Sequence, residues 1–274
     1  MTQTIETVKE NIWTEEAYIE WIRPYVQAMG QMMGRIEQLE KVMALSSEEP
    51  LHHVKSRIKT RESIAGKLIE KGLSVTADNA EGYLKDIAGI RLVFYFESDL
   101  RRMAALLKQN SGYALLKEKD YIECPKESGY RSLHLIFEVA VQRGRQLLLL
   151  PVEIQLRTVG MDFWAGMEHR LCYKRGGVRT AHRGRIMEDF AGCARLLAAL
   201  ERRIEKYARD SGADCAAGEG DIAILLSSCY NRSQESAQDK ILHPQFAGKI
   251  KEGENSYVSG NRQISALRQG RHAE

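Results

Sequence analysis

The sequence is short of the features that mark most specialised protein classes. Its 274 residues include five cysteines, Cys124, Cys172, Cys193, Cys215 and Cys229, which are scattered and form no C-x-x-C pair. That excludes a disulfide miniprotein and a zinc knuckle, and predicts free thiols in a reducing cytosol. Glycine and proline number only 22 and 5 without a G-X-Y period, which excludes collagen. No apolar run reaches the roughly 18 residues that a membrane-spanning helix needs. The tightest run, 147–152, meets charge at Glu153 and reads as a buried strand. The start, MTQTIETVKE, carries no apolar stretch and predicts no secretory leader. Basic and acidic residues nearly balance, 40 against 37, so the net charge is +3. A global polyanion-binding surface is therefore not written into the composition, and any anion site must be local. The motifs G-x-x-x-x-G-K-[ST], G-x-G-x-x-G and H-E-x-x-H do not occur, so P-loop, Rossmann and zincin readings fail. Cys172 has no evident base beside it, which argues against thiol catalysis.

What is present is periodicity. Over 14–45 the residues Tyr18, Trp21, Ile22, Tyr25, Met29, Met32, Met33, Ile36, Leu39 and Met43 share one helical face, read as core or an oligomer contact. Thr14 before two glutamates predicts an N-cap, and Pro24 predicts either two helices or one bent one. A loop at 46–50 leads into HVKSRIKTRESIAGKLIEKG, read as a basic helix closed by Gly72. A helical turn follows at 79–85, a strand at 86–96, and a helix at 99–109 capped by Ser98. Strands are expected at 113–118, 130–141 and 147–157, with a polar loop at 119–129 and a hairpin turn at 142–145. Thr158 opens a helix running to about Tyr173 and ended by Gly176-Gly177, and a last helix covers about 182–209. The order predicts an α+β fold, a mixed and mostly antiparallel sheet flanked by helices. Gly, Ser, Asn and Gln dominate beyond Ser211, so 211–274 is expected to be a weakly structured tail.

Strand parity sorts the side chains into two faces. Leu133, Leu135, Phe137, Val139 and Val141 point one way with Val152, Ile154, Leu156, Ile90, Leu92 and Phe94. Arg91, Ser132, His134, Glu138, Glu153, Gln155 and Arg157 point the other way. An ordinary half-buried sheet also alternates polar-out, so a solvated face is the plain alternative. Carboxylates, arginines and a histidine on one face nevertheless suit phosphate chemistry. They offer hard oxygen ligands for Mg²⁺ and cations for spread negative charge. Asp86 and Glu153, from different strands, can together hold one such ion. Lys55, Arg57, Lys59 and Arg61, with Lys67 beyond, form a cation cluster suited to phosphates, or simply a solvated helix face. Lys126, Ser128, Gly129, Tyr130 and Arg131 place a ring beside cations, as a nucleobase and its phosphates require, or form a plain turn.

Four segments in order, DIAGIR (Asp86–Arg91), KESGYRSLH (Lys126–His134), VEIQLRT (Val152–Thr158) and MDFWAGMEHRLCYK (Met161–Lys174), resemble the synthetase domain of the RelA/SpoT family. They look most like its single-domain members, the small alarmone synthetases. The resemblance implies a nucleotidyltransferase-like synthetase domain over 50–180, preceded by N-terminal helices over 1–49 and followed by a helix over 181–210 and the tail. It implies a cytoplasmic enzyme of stress signalling that moves pyrophosphate from ATP to the ribose 3′-hydroxyl of GTP or GDP, releasing AMP. Asp86 and Glu153 would be the catalytic and Mg²⁺-binding acids. Arg57, Lys59, Ser63 and Lys67 would hold ATP phosphates, with Arg91 and Lys119 around adenine. Tyr130 would stack on guanine. Lys126, Arg131 and His134 would meet the acceptor's phosphates, and Gln155, Arg157 and Asp162 would line its site. Glu168 and His169 would support it. Some members have Asn where this chain has Asp162. The family's His-Asp hydrolase motif is absent, so product degradation is not expected. A homotetramer and a contact with single-stranded RNA are the implied partners, with no membrane. Two other readings stand beside this one: a toxin-like relative acting on the tRNA 3′ end, and a non-catalytic nucleotide- or RNA-binding module.

Overall fold

The computed structural model describes residues 14–45, 49–170, 183–210 and 258–259. Helix α1 (Glu15–Met43) is followed by strand β1 (Leu51–Ile58), helices α2 (Arg61–Glu70) and α3 (Ala77–Tyr83), and strand β2 (Ala88–Phe94). Helix α4 (Glu97–Asn110) leads to strands β3 (Ala114–Asp120), β4 (Leu133–Arg143) and β5 (Gln146–Thr158). Helices α5 (Val159–Glu168) and α6 (Arg183–Asp210) and the short strand β6 (Val258–Ser259) complete the order. The strands form one sheet in the order β3-β4-β5-β2-β1-β6. Only the central β2–β5 pair is parallel, and the rest are antiparallel. This is the α+β architecture the sequence predicts. The expected end of the Thr158 helix near Tyr173, its Gly176-Gly177 stop and almost all of the 211–274 tail lie outside the described residues.

The parity argument sorts the core. Leu133, Leu135, Phe137, Val139, Val141, Val152, Ile154, Leu156, Ile90, Leu92 and Phe94 are all fully buried. Helices α1 and α4 cover that face, with Trp21, Tyr25, Met29, Met32, Ile36, Leu100, Met103 and Leu107 buried against it. Each such side chain contributes about 1.5–3 kcal/mol when taken from water. Helix α1 runs through Pro24 as one element, capped by Thr14, whose hydroxyl accepts from the Ala17 N–H. A proline removes one helical hydrogen bond, and the burial of Tyr18, Trp21, Ile22 and Tyr25 around it outweighs that loss.

Three readings are corrected. The basic stretch opens as strand β1, and the helix starts only at Arg61, after Thr60 accepts from the Ser63 N–H. Lys55 and Arg57 are therefore strand residues. The helix does close at Gly72, whose φ of 69° lets the N–H groups of Gly72 and Leu73 reach the carbonyls of Ile69 and Leu68. Ser98 does not cap the next helix. The cap residue is Phe96, which has no side-chain acceptor, and the Ser98 N–H is instead bound by Glu205 of α6 at 3.1 Å. Strand β4 also begins later than expected, so Tyr130, Arg131 and Ser132 belong to the loop that precedes it.

Candidate active site

The sheet register lays the polar residues out in rows, because directly paired residues project to the same face. One row runs Arg57 (β1), Gly89 (β2), Glu153 (β5). Gly89 has no side chain, so the floor of the cleft is bare between a guanidinium and a carboxylate. The next row crosses five strands as Lys55, Arg91, Gln155, His134 and Lys119. The middle of these rows is sheltered, while Arg57 and Lys119 at the edges are exposed. Glu153 and Arg157 are only 9% and 5% exposed.

Asp86 lies two residues before β2, and two lysines of the cation cluster, Lys59 and Lys67, converge on it. Lys59 Nζ and Lys67 Nζ each lie 2.6 Å from its Oδ2. Burial pushes this carboxyl up, but the two ammonium groups outweigh that and hold it at about 2. Burial pushes Lys59 down, and Asp86 offsets this only in part. Lys59 is positioned by its backbone: its N–H donates to the Ile87 carbonyl, and its carbonyl accepts from the Tyr18 hydroxyl of α1 at 2.6 Å. Ser63 and Lys67 extend the cluster along the first turns of α2.

Glu153 anchors a second network. His134 Nδ1 lies 3.0 Å from Oε1, and the Gln155 amide donates to Oε2 at 2.9 Å. Arg157 donates to Gln155 Oε1 at 3.1 Å, which fixes the direction of that amide. The Tyr130 hydroxyl accepts from Ser132 Oγ and from Arg157, each at 2.9 Å. Both its lone pairs are then filled, so its own proton goes to His134 Nε2, 3.0 Å away. The network thus assigns His134 the Nδ1–H tautomer, donating to Glu153. Burial raises the Glu153 carboxyl, while the bonds from His134 and Gln155 bring it below its ordinary value. The charge of Asp86 opposes that ionisation, which places the two acids within electrostatic reach of each other.

Asp162, on the first turn of α5, bridges the two halves. Its Oδ1 accepts from Arg91 at 3.0 Å and from Arg157 at 2.9 Å. Burial raises this carboxyl, and Arg91 and Arg157 together bring it below its ordinary value of 3.8. A depressed folded value gives stability that is present above the ordinary value and lost as pH falls through the folded one. Asp162→Asn is therefore expected to cost about 2 kcal/mol near neutral pH. Denaturant titrations of both proteins should show that difference closing below about pH 4.

The remaining candidates divide. Tyr130 stands among Tyr121, Trp164 and the Arg157 guanidinium, and the Lys126 ammonium lies 4.9 Å from the ring centroids of both tyrosines. Arg131 pairs with Glu97 of α4 at 3.1 Å. Lys119 is not brought to Arg91. It stands three strands away, about 14 Å at ordinary strand spacing, and the two cannot sandwich one base. Lys119 is instead opposite His134. Glu168 and His169 lie at the far end of α5, where His169 is exposed. Tyr121 went unrecognised in the sequence, yet its ring packs on both Tyr130 and His134. The only signal was an aromatic residue in an otherwise polar loop.

A divalent cation fits these residues. Asp86 Oδ1 is buried with no hydrogen-bond partner among the described residues, and the charges of Asp86 and Glu153 act on each other. No group of three or more His, Cys, Asp or Glu side chains able to hold a metal occurs among the described residues. Two carboxylates with substrate oxygens completing the shell suit Mg²⁺ better than a metal held wholly by protein.

Comparison with known proteins agrees with this geometry. A family model described as the region found in RelA/SpoT proteins matches residues 56–178. GTP pyrophosphokinase YwaC of Bacillus subtilis is 43% identical over 130 residues, 47% of this chain and 62% of the relative. The chain therefore spans less than two thirds of that relative. GTP pyrophosphokinase YjbM of the same organism is 32% identical over 155 residues, 56% of this chain and 72% of the relative. The crystal structure of small alarmone synthetase 1 from Bacillus subtilis, bound to its product pppGpp, matches with a TM-score of 0.62 and 27% identity. That match covers 71% of this chain and 98% of the other. With its synthetase motifs, sheet topology and paired acids all in place, the chain belongs to the RelA/SpoT family.

Proposed function

We propose that the protein is a GTP pyrophosphokinase, transferring the β,γ-pyrophosphate of ATP to the ribose 3′-hydroxyl of GTP or GDP. The observation that carries this is a pair of acids, each held by its own set of hydrogen-bond donors. Asp86 is clasped by Lys59 and Lys67, and Glu153 by His134 and Gln155. The names of the two relatives support the reaction, and the pppGpp in the matched structure supports a guanine-nucleotide acceptor.

Arg57, Lys59, Ser63 and Lys67 are assigned to the phosphates of ATP, and Arg91 to its adenine. Tyr130 is assigned to guanine, with Lys126, Arg131 and His134 on the acceptor's phosphates and Gln155, Arg157 and Asp162 lining the site. Lys119 pairs with His134 in the sheet, which supports assigning it to this acceptor group as well. Asp86 and Glu153 would hold Mg²⁺, which when bound supplies charge neutralisation for the transferred group. The 3′-oxygen bonds to the β-phosphorus, the bond from that phosphorus to the α,β-bridging oxygen breaks, and AMP departs. Glu153, ionised at neutral pH, accepts the 3′-hydroxyl proton. Its depressed basicity suffices, because a loose transition state needs positioning and charge compensation more than a strong base.

Helix α6 leaves Leu196, Leu200, Ile204 and Tyr207 exposed along one side, which supports self-association and is where we place a homotetramer contact. Single-stranded RNA is read as a further ligand of the β1 cations. No helix among the described residues is long and apolar enough to cross a membrane.

Incubating the protein with ATP and, separately, GDP, GTP or tRNA tests the reading. AMP should form one-for-one with a modified guanine nucleotide and should not form with tRNA. AMP formed only with tRNA would instead indicate the toxin-like activity, and no AMP in any mixture a binding module.

A further inference from the structure

Helix α6 touches the elements around the site at four residues, Gly160, Ser98, Gly129 and Trp164. Glu201 accepts from the Gly160 N–H at 2.8 Å, at the start of α5. A Cβ at Gly160 would lie 2.6 Å from that carboxylate oxygen, so any larger residue would push the Glu201 side chain off this bond. Glu205, one turn later and 8% exposed, accepts from the Ser98 N–H at the start of α4. Ala191 and Ala194 press on Gly129, where a Cβ would come within 2.9 Å and 2.7 Å of them. The Trp164 indole also donates to the Phe190 carbonyl at 3.1 Å.

Each contact leads to the same place. Helix α5 carries Asp162 to Arg91 and Arg157, and Arg157 holds the Tyr130 hydroxyl. Helix α4 carries Glu97 to Arg131. Gly129 is the residue before Tyr130. The Asp86, Lys59 and Lys67 cluster is built instead from β1, α2 and the residues before β2. A carboxylate at a helix N-terminus satisfies free N–H groups and complements the dipole. Two such carboxylates one turn apart on one helix therefore tie two other helices to a common strut.

We infer that α6 fixes the geometry of the Tyr130–Arg131 half of the site and that Glu201 and Glu205 are its positioning residues. The inference rests on the proposed function only in calling that half the acceptor's. Neither glutamate touches substrate, so the expected signature is in acceptor affinity. Glu205→Ala should raise the KM for GDP about tenfold while the KM for ATP stays within about twofold. Glu201 caps α5, which also reaches Arg91 through Asp162, so Glu201→Ala should raise the KM for GDP clearly more than that for ATP. Glu201→Gln and Glu205→Gln keep an acceptor oxygen and should restore most of the loss. Hydrogen exchange supplies a readout that needs no turnover. In the alanine variants the amides of 126–131, with Gly160 and Ser98, should exchange about tenfold faster, and those of β2 and β5 should not change. Equal shifts in both KM values, or sheet amides that speed up as much as the loop, would overturn the inference. So would unchanged exchange at 126–131. If the wild-type protein makes no AMP, the proposed function fails, and the exchange pattern alone decides this inference.

Discussion

Asp86→Ala is expected to lower pyrophosphate transfer by about a thousandfold or more, and Glu153→Gln by a comparable factor. The two variants act differently. Asp86→Ala removes the carboxylate that orders Lys59 and Lys67, so two ammonium groups now repel across the vacated position. Its midpoint of thermal unfolding should therefore fall. The fold should persist, because the core lies on the opposite face of the sheet, against α1 and α4. Glu153→Gln is nearly isosteric, but its amide nitrogen must face one of the two donors that Glu153 accepts from. Stability should therefore fall by about 1–3 kcal/mol while the proton acceptor is lost. Turnover measured beside far-ultraviolet circular dichroism separates the effects. Near-wild-type rates in either folded variant would remove that residue from the reaction.

Gly129→Val is expected to cost about 3 kcal/mol of stability, through backbone strain and forced repacking together. Gly129 has a φ of 83°, in the left-handed region that a β-branched residue avoids. Its Cβ would also stand 2.9 Å from the Ala191 backbone, which cannot swing aside as a long side chain could. Helix α6 would have to retreat, loosening the caps at Gly160 and Ser98 with it. For a domain of this size the melting temperature should drop by roughly 6–12 °C. A melting temperature within a degree of wild type would contradict this packing.

Much of the site was legible in the sequence because a strand's period of two is a hard geometric rule. Parity alone put Arg91, His134, Glu153, Gln155 and Arg157 on one face, and the register joins them across β2, β5 and β4. The same rule holds for β1. Lys55, Arg57 and Lys59 alternate with Ser56 and Ile58, a period of two that the helical pattern after Arg61 obscured. A polar strand reads as a helix start when one of its faces must carry cations for an anionic ligand.

What stayed hidden was long-range. Glu201 and Gly160 are 41 residues apart and Glu205 and Ser98 are 107 apart, so no local pattern announces either cap. Ser98 looked like a cap because its residue type fits one, and tertiary structure supplied a stronger acceptor. The distance between Arg91 and Lys119 likewise follows from strand order, which spacing along the chain does not encode.

The most direct test follows the phosphorus. With ATP labelled in its γ-phosphate and unlabelled GDP, phosphorus NMR and chromatography should find the label in a pyrophosphate on the 3′-oxygen, with one AMP per product. Label in a 5′-triphosphate with ADP as the second product, or as free phosphate with no AMP, would contradict the account.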